Sequence, residues 1–446
     1  MSKIRFRRHL SMPQILSMAG RVFESIPDPV NHRGFTLRDC LLSGMAVFFL
    51  KMPSLLQFDL KTRGQIDDPS VPFNLRTLFG VAKAPSDTCL RERLDRIDPV
   101  HLRPVFSRIF AKLQRSKVLE HFATLDGHYL LSLDGTGYFS SKKIHCSSCC
   151  VRNHRNGTRT YQHQMMGGAL VHPDSNIVIP LAPEMITRQD GNNKNDCERN
   201  AAKRFITEFR KEHTHLRTIV VEDALASNGP HIEHLRDNNI RFILGVKPGD
   251  HKFLFDWVDS HPDIRTHTRV ERTGKGVTTH EFRWCTDVPL NEANIDLEVN
   301  FLHYTEIGPD GGRRTWSWVT DLPLSKERMM PMMRAGRARW KVENEGFSAL
   351  KNVFGYNFEH NYGHGNQYLA NVMATLCVLM FLVEQTVELC CSVHQGALKK
   401  QVRRKYMWEK IRMLFTLIHI RDWEHFYRLL SEPRMKIFSE AILEEP

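Results

Sequence analysis

The sequence predicts an α/β protein with a central region of alternating strands and helices and with helical regions at both ends. Two short apolar runs in the central region, residues 130–133 and 218–221, are typical of buried strands, and an aspartate follows closely after each. Between them, residues 195–213 place apolar side chains at helical spacing. Helical patterns also occur before residue 120 and after residue 366, so we expect the strands in the middle of the chain.

The order of the predicted elements in the central region, β-β-β-α-β-α-β, is that of a ribonuclease-H-like layered fold. We expect residues 125–248 to form the first part of this catalytic core. A mostly β insertion at 249–325, with alternating residues and Gly-rich turns, would interrupt it, and a helical segment at 326–365 would complete it. The flanking regions, 1–120 and 366–446, are predicted to be helical.

The chain is basic, which makes a polyanion the first partner to consider. It has 446 residues, and 62 Lys and Arg against 50 Asp and Glu give a net charge of +12. Residues 1–120 hold 20 of the basic and 11 of the acidic residues, so most of the excess lies there. This distribution favours an N-terminal DNA-binding domain that contacts phosphates, although a solvated helix surface would have the same composition.

One candidate for DNA reading in this region is a helix-turn-helix motif. Residues 84–87, Ala-Pro-Ser-Asp, are typical of a helix start, and Arg91 and Arg93 follow on the predicted helix. An Arg-bearing helix after a turn can enter the major groove of DNA. A plain helical bundle is the alternative.

The cysteine content and the apolar segments indicate a reducing, cytoplasmic setting. Ten cysteines in 446 residues are far below the density of a disulfide-rich secreted domain. The first residues are charged and are not followed by the apolar stretch of a secretory signal. The apolar stretches at 41–50 and 372–383 are shorter than the ~20 residues that span a membrane, so we expect them to be buried helices.

Two acidic residues, Asp134 and Asp223, come at the ends of predicted strands. Adjacent strands can bring such carboxylates within a few ångströms of each other, where they repel unless cations lie between them. Mg²⁺ prefers oxygen ligands, and two such ions about 4 Å apart stabilise the attacking and leaving oxygens of a phosphoryl transfer. The two strand ends are therefore candidates for a metal site, although a lone strand-end aspartate is more often a cap or a turn residue.

A third carboxylate is expected from a helix packed beside that sheet. Residues 339–351 read Arg-Trp-Lys-Val-Glu-Asn-Glu-Gly-Phe-Ser-Ala-Leu-Lys. Arg339 and Glu343 are four residues apart and share a helix face, so the helix could offer a carboxylate to a metal and a guanidinium to a phosphate. An ordinary surface ion pair has the same spacing and is the alternative.

The stretch Arg-Trp-x-Val-Glu at 339–343, followed by Phe347, Leu350 and Lys351, resembles the signature helix of bacterial insertion-sequence transposases of the DDE superfamily, in the group marked by Tyr-Arg-Glu-Lys. Leu-Asp-Gly-Thr at 133–136 is similar to the first-aspartate strand of that group.

Further segments strengthen this resemblance, which covers over half of the chain. Val-Val-Glu-Asp-Ala at 220–224 is similar to the second-aspartate strand of the group. The β-rich insertion, Trp-Val-Thr-Asp at 318–321 and the segment 359–365 also match. The two departures are Gly336, which stands where the signature has Tyr, and Lys351, which comes one position later than the signature Lys.

The resemblance implies that Asp134, Asp223 and Glu343 hold two Mg²⁺ or Mn²⁺ ions, and that Arg339 and Lys351 contact DNA phosphates. Because Glu345 lies six residues before Lys351, it stays a second candidate for the third ligand.

The implied activity is metal-assisted phosphoryl transfer on double-stranded DNA. A transposase of this group would cleave phosphodiesters at the terminal inverted repeats and join the 3′-OH ends to target DNA, as a homodimer at the nucleoid in the bacterial cytoplasm. Two alternatives would use the same residues and stay open: a ribonuclease-H-like nuclease that does not join strands, and a catalytically silent DNA-binding derivative.

A second group of candidate metal ligands follows the first aspartate. Cys146 and Cys149 form a Cys-x-x-Cys pair, and His154 and His163 lie downstream. Thiolate and imidazole are the usual ligands of structural zinc. The spacing is not that of a standard zinc finger, and buried or reactive thiols are the favoured alternative.

Overall fold

A computed structural model gives the fold of the chain. It describes residues 7–28, 34–63, 70–188, 197–274, 276–359, 362–401 and 403–432. Within these ranges the prediction of a mixed α/β protein with helical ends is confirmed. The first two residues of the predicted helix 195–213, and residues 360 and 361 of the segment 359–365, lie outside the described residues.

Twelve strands in the described part of the chain form one mixed sheet. The strands are β1 (Ala123–Thr124), β2 (His128–Ser141), β3 (Cys150–Asn153), β4 (Arg159–Val171), β5 (Ile179–Pro180), β6 (Glu184–Ile186), β7 (Thr218–Glu222), β8 (Arg241–Gly245), β9 (Arg265–Thr273), β10 (Gly276–Asn291), β11 (Asn294–Ile307) and β12 (Arg313–Thr320). Their order across the sheet is β3-β4-β2-β7-β8-β12-β11-β10-β9, with β1 paired to β2 and with β5 and β6 paired to β4.

Helices precede, interrupt and follow the strands. The α-helices are α1 (Met12–Glu24), α2 (Leu37–Phe49), α3 (Leu55–Thr62), α4 (Ser70–Asn74), α5 (Asp87–Leu94), α6 (Arg103–Arg115), α7 (Glu198–Glu212), α8 (Gly229–Asp237), α9 (Lys252–Ser260), α10 (Met329–Arg337), α11 (Leu369–Cys390), α12 (Ser392–Lys399), α13 (Arg404–Leu417) and α14 (Trp423–Ser431). Two consecutive π-helical stretches, Val342–Phe347 and Ala349–Val353, lie between α10 and α11, and residues 339–353 are called the glutamate helix below.

The centre of the sheet is built around β2. This strand pairs antiparallel with β4 and parallel with β7, and β7 pairs parallel with β8. Every residue of β7 is buried, as expected for a parallel strand that is covered on both faces. Helix α7 precedes β7, and α8 connects β7 to β8, which is the crossover that two parallel neighbours need.

The predicted β insertion at 249–325 extends this same sheet. It forms α9 and then the strands β9 to β12, in which successive strands pair antiparallel. The last of them, β12, pairs antiparallel with β8, where Val319 is opposite Leu244. Strands were predicted for this segment from its alternation, but the alternation did not indicate that they continue the central sheet.

The two helical ends of the chain pack against each other around α11. This helix contacts α1, α2 and α5, and a Cβ added at Gly44 of α2 would lie 2.8 Å from the side chain of Leu376. Asn74 of α4 donates hydrogen bonds to the carbonyl oxygens of Phe415 and Ile418 near the end of α13. Residues 1–120 and 366–446, predicted as separate regions, therefore share one hydrophobic core.

Helix α11 is the one helix among the described residues that is long and apolar enough to cross a membrane. Its most apolar 18-residue window is 89% buried inside the protein. Its apolar composition is accounted for by its place at the centre of the helical core.

Two adjacent glycines on β4 let helices approach both faces of the sheet. A Cβ at Gly167 would lie 2.6 Å from the ring of Phe347 in the glutamate helix, and a Cβ at Gly168 would lie 2.3 Å from the ring of Phe205 in α7. Successive residues of a strand face opposite sides of the sheet. The glutamate helix and α7 therefore pack on opposite faces of β4.

We expect Gly168→Ala to lower the free energy of unfolding by about 1–3 kcal/mol, because the added methyl group would overlap the buried ring of Phe205. Gly396→Ala is the matched control, since this exposed glycine of α12 has no atom within 4 Å of an added Cβ. The control should be more stable than the parent by about 0.5–1 kcal/mol, as alanine is favoured over glycine within a helix. Chemical denaturation measures both, and two changes of the same sign would contradict the packing argument.

Candidate active site

Asp134 and Asp223 lie side by side on two neighbouring parallel strands. Asp223 directly follows the last residue of β7, as predicted, but β2 continues to Ser141, so Asp134 lies within its strand and not at the predicted end. In the register of β2 and β7, Ser132 is opposite Val221, and each aspartate comes two residues further along its own strand. Since adjacent strands are about 4.8 Å apart, the two aspartates are close to each other where β7 ends beside β2. Both line one surface cavity, together with Glu198.

Asp223 is held by the turn that follows β7. Its Oδ1 accepts a hydrogen bond from the backbone N–H of Leu225 at 2.9 Å. The fully buried strand before it and this local hydrogen bond fix the position of the carboxylate. The second oxygen of Asp223 is not used by the turn.

Two contacts hold the glutamate helix against β2 and β4 beside Asp134. The hydroxyl of Ser132 donates a hydrogen bond to the backbone carbonyl of Arg339 at 2.9 Å. Phe347 packs over Gly167, and Gly167 is directly opposite Asp134 in the antiparallel pair. Directly opposite residues point to the same face of a sheet, so the side chain of Asp134 faces the glutamate helix.

The pKa of Asp134 reflects the negative charge that is gathered around it. Partial burial and the carboxylate of Glu343 raise the pKa of Asp134 to about 7, although the guanidinium of Arg339 opposes the rise. The carboxylates of Asp223 and Glu198 raise it further. Acidic groups from four separate elements therefore act on one another here, which is unfavourable unless a cation lies between them.

The Arg339–Glu343 pair predicted from helical spacing is formed, with a distance of 2.6 Å between Arg339 Nη1 and Glu343 Oε1. The Arg339 side chain is only 13% exposed, and it also acts on Asp134, so the pair belongs to the acidic site rather than to a solvated helix surface. Of the two candidate glutamates, Glu343 is among the strongest charges on Asp134, and Glu345 is not.

Glu198 is a fourth carboxylate that the sequence analysis did not single out. It is the first residue of α7, and a Cβ added at Gly135 would lie 2.4 Å from its carboxyl carbon. Partial desolvation and the nearby carboxylate of Asp223 raise the pKa of Glu198. An acidic residue at a helix start is ordinarily explained by the helix dipole, so the sequence carried no signal for a role at the cavity.

A buried ion pair supports the floor of the same cavity. His231 Nε2 lies 2.7 Å from Glu222 Oε2, and both side chains are less than 10% exposed. Burial alone would lower the pKa of His231, but the contact with Glu222 outweighs it and raises the pKa. The pair occupies Glu222, so the acidic residue that precedes Asp223 is not available as a metal ligand.

The structure gives other roles to the two arginines that were predicted to contact DNA from α5. Arg93 is 1% exposed, forms an ion pair with Asp28 and donates to the carbonyl oxygen of Phe35. Arg91 donates to the carbonyl oxygen of Tyr362 at 2.6 Å. Arg93 is buried and Arg91 has a contact within the protein, and the DNA contact of this helix stays a prediction.

Lys351, the other predicted phosphate contact, lies at the far end of the glutamate helix. Its Nζ is 2.8 Å from Glu359 Oε1, and its side chain is 21% exposed. The structure thus brings Arg339 to the acidic site but pairs Lys351 with a carboxylate outside it.

Three of the four predicted zinc ligands come together, and one does not. Cys146, Cys149 and His163 are neighbours, but His154 instead contacts the hydroxyl of Thr160 at 2.9 Å. The fourth position beside the three is taken by His364, which the sequence analysis did not consider as a ligand.

Comparison with protein-family models gives no match, and comparison with curated proteins also gives none. The functional argument therefore depends on the geometry of the sites themselves.

We expect Asp134→Asn to stabilise the protein at pH 8 in magnesium-free buffer. The pKa of this carboxyl is about 7 in the folded protein, above its ordinary value of 3.8. The higher pKa in the folded state contributes to the stability of the protein, fully below pH 3.8, and this contribution is lost as the pH rises through 7. The variant has no ionisable group at position 134, so it does not carry a buried negative charge there at pH 8. After discounting for water at the partly exposed site, the gain is on the order of 2 kcal/mol.

Thermal unfolding at pH 5 and pH 8, with and without Mg²⁺, measures this effect. Mg²⁺ should stabilise the parent protein more than the Asp134→Asn variant at pH 8. The exposed Asp256→Asn in α9 is the control and should behave as the parent does. A variant that is less stable than the parent at pH 8 would show that Asp134 is not under electrostatic strain.

Proposed function

We propose that this chain is a DDE-type DNA transposase, in which Asp134, Asp223 and Glu343 hold divalent metal ions for cleavage and joining of DNA strands. The observation that carries the proposal is the proximity of these carboxylates, which are separated by 89 and 120 positions in the sequence. Asp134 and Asp223 line one cavity, and the charge of Glu343 acts on Asp134 from the glutamate helix. Strand register and helix packing bring together side chains that repel one another. A bound cation that needs all of these carboxylates is the simplest explanation for the arrangement.

The strand connections support a ribonuclease-H-like core as part of this proposal. Strand β2 is antiparallel to β4 and parallel to β7, β7 is parallel to β8, and β5 and β6 pair with the outer side of β4. The elements β2, β4, β5, α7, β7, α8 and β8 correspond to the order expected from the sequence, and β1, β3 and β6 are additional strands that were not predicted. In this arrangement Asp134 lies within β2, beside Asp223, which follows the end of β7.

The donor set fits a hard divalent cation such as Mg²⁺ or Mn²⁺. The candidate ligands are carboxylate oxygens, which these ions prefer over nitrogen or sulfur. Burial is the largest cause of the raised pKa of Asp134; beyond burial, three carboxylates raise this pKa and the guanidinium of Arg339 lowers it. When bound, such ions would activate water for attack and stabilise the charge on the reacting phosphate.

The chain's own residues would orient the carboxylates and neutralise charge. The Asp223 carboxylate is fixed by the N–H of Leu225, and the Glu343 carboxylate is fixed by Arg339. Arg339 is thus a positioning residue for Glu343, and its remaining N–H groups can donate to a phosphate oxygen at the site.

Two exposed side chains beside the cavity extend the proposal to DNA binding. Arg199 lines the cavity and is exposed, so it is a candidate phosphate contact in addition to Arg91 and Arg93. Trp340 is 47% exposed on the glutamate helix and packs against the Arg339 guanidinium, with 4.3 Å from the guanidinium carbon to the ring centre. An exposed indole beside a cationic group is suited to stacking on a DNA base. A homodimer would be needed to hold two DNA ends together.

We expect Asp134→Asn, Asp223→Asn and Glu343→Gln each to reduce DNA cleavage roughly 100-fold or more, because each removes charge that stabilises the metal-bound transition state. Binding to the DNA ends should be largely kept. The assay uses linear DNA that carries the sequences flanking the gene, with Mg²⁺ or Mn²⁺, and follows nicking and strand joining separately.

Glu345→Gln is the matched control, since it removes a carboxylate from the same helix, two residues away. It should cleave as the parent protein does. Cleavage that is retained in Glu343→Gln and lost in Glu345→Gln would transfer the third ligand to Glu345. Cleavage without joining in the parent would identify a nuclease, and cleavage in all three site variants would overturn the proposal.

We expect Arg199→Gln to reduce the dependence of DNA binding on salt. If Arg199 neutralises one phosphate, the slope of log K against log salt should fall by about 1. Arg272→Gln is the control, because this exposed arginine lies on β9 at the far edge of the sheet. Equal slopes for Arg199→Gln and the parent, measured by titration at several salt concentrations, would exclude Arg199 from the DNA contact.

A further inference from the structure

Four sulfur- and nitrogen-bearing side chains meet at one point, away from the acidic site. Cys146 and Cys149 lie in the loop between β2 and β3, His163 lies on β4, and His364 lies between the glutamate helix and α11. We propose that these four side chains bind one zinc ion in a closed, tetrahedral structural site. This proposal is independent of the proposed transposase activity.

Five of the distances between the ligand atoms lie within about 0.3 Å of the range for a tetrahedral zinc site. The two cysteine sulfurs are 3.9 Å apart, and His163 Nε2 is 3.4 Å from each of them. His364 Nε2 is 3.1 Å from the Cys149 sulfur and 3.0 Å from His163 Nε2. Zinc bonds of about 2.3 Å to sulfur and 2.0 Å to nitrogen require roughly 3.3–3.8 Å between tetrahedral ligands. All four atoms lie within 4.8 Å of one another.

The composition and burial of the cluster select zinc over Mg²⁺. Thiolate and imidazole favour zinc, whereas Mg²⁺ requires oxygen ligands. Cys149, His163 and His364 are each less than 10% exposed, and Cys146 is partly exposed. Because four protein ligands fill the tetrahedron, the arrangement is that of a structural zinc site, with no open position for a substrate.

Aromatic rings on β2 orient the two imidazoles. Tyr138 stacks on His163 with 5.6 Å between ring centroids, and Phe139 packs on His364 with 4.2 Å between centroids. These contacts keep the Nε2 atoms of both rings directed at the cysteine sulfurs. The site is thus organised by buried packing, as expected of a binding site that is formed before the ion arrives.

The site would fasten two distant parts of the chain together. His163 and His364 are 201 positions apart, and hydrogen bonds from Ser147 and Ser148 to the carbonyl oxygens of Asn366 and Gln367 cross the same junction at 2.8 and 2.7 Å. The ion would therefore hold the segment that leaves the glutamate helix against the loop after β2. This connection links the central sheet to the start of α11.

The test is the metal content of the full chain, produced without a polyhistidine tag, purified under reducing conditions and loaded with zinc. We expect about one zinc ion per chain in the parent protein and at least a five-fold lower content in Cys149→Ser and in His364→Asn. The controls are His154→Asn and Cys150→Ser, which change the neighbouring histidine and cysteine outside the cluster and should keep the parent's zinc content.

Cobalt substitution of the parent protein gives a second measurement, which does not depend on the folding of any variant. Co²⁺ in this site should give the intense visible absorption of a tetrahedral ion together with thiolate charge-transfer bands in the near ultraviolet. Zinc should displace Co²⁺ and should protect Cys146 and Cys149 from alkylation.

Three results would overturn the proposal. The first is a folded, reduced parent protein that neither holds zinc nor gives the cobalt spectrum. The second is a loss of zinc in His154→Asn that equals the loss in His364→Asn. The third is a disulfide between Cys146 and Cys149, detected by mass in the freshly isolated protein, because the pair would then be a redox pair instead of zinc ligands.

Discussion

The close approach of the glutamate helix to the central sheet is the constraint on which the candidate active site depends. Phe347 lies directly over Gly167, the residue opposite Asp134, and the hydroxyl of Ser132 holds the backbone of Arg339. A side chain at position 167 would move the helix outward and separate its glutamate from the two aspartates. Packing and one hydrogen bond, rather than attraction between charges, therefore bring the carboxylates together.

This arrangement has an energetic cost that the rest of the molecule must offset. Burial and the neighbouring carboxylates together raise the pKa of Asp134, and Arg339 opposes the effect only in part. The fully buried strand β7 and the large shared core of the helical ends supply stability that the site lacks. Unfavourable interactions that are confined to one place in an otherwise stable fold are expected at functional sites.

The sequence predicted features that depend on neighbouring residues better than features that depend on residues far apart in the chain. The two aspartates were found because an apolar run and the acidic residue that follows it are close in the sequence. Glu198 was missed because its place depends on the missing side chain of Gly135, and His364 was missed because it is 201 positions from His163. The insertion was predicted to contain strands, but the pairing of β12 with β8 is a long-range contact that alternation does not encode.

The glutamate helix shows a second limit of sequence patterns. The position of Lys351 was judged from α-helical spacing, in which each residue turns by about 100°. The helix has π-type turns from Val342 onward, so each turn contains more residues and this angle does not apply. The ion pair of Lys351 with Glu359 could be seen only in the three-dimensional structure.

Two groups of potential ligands on one fold are separated by their chemistry. The acidic site offers oxygen atoms and negative charge to a hard cation, and the Cys/His cluster offers sulfur and nitrogen to a soft one. Because β2 carries Asp134 and also the rings that orient both histidines, the two sites share one strand without sharing a ligand. A zinc ion in the cluster would fix the exit of the glutamate helix, while the hydrogen bond from Ser132 to the carbonyl oxygen of Arg339 fixes its start. The carboxylate on that helix would then be positioned from both ends, which is the rigidity that a metal-dependent phosphoryl transfer requires.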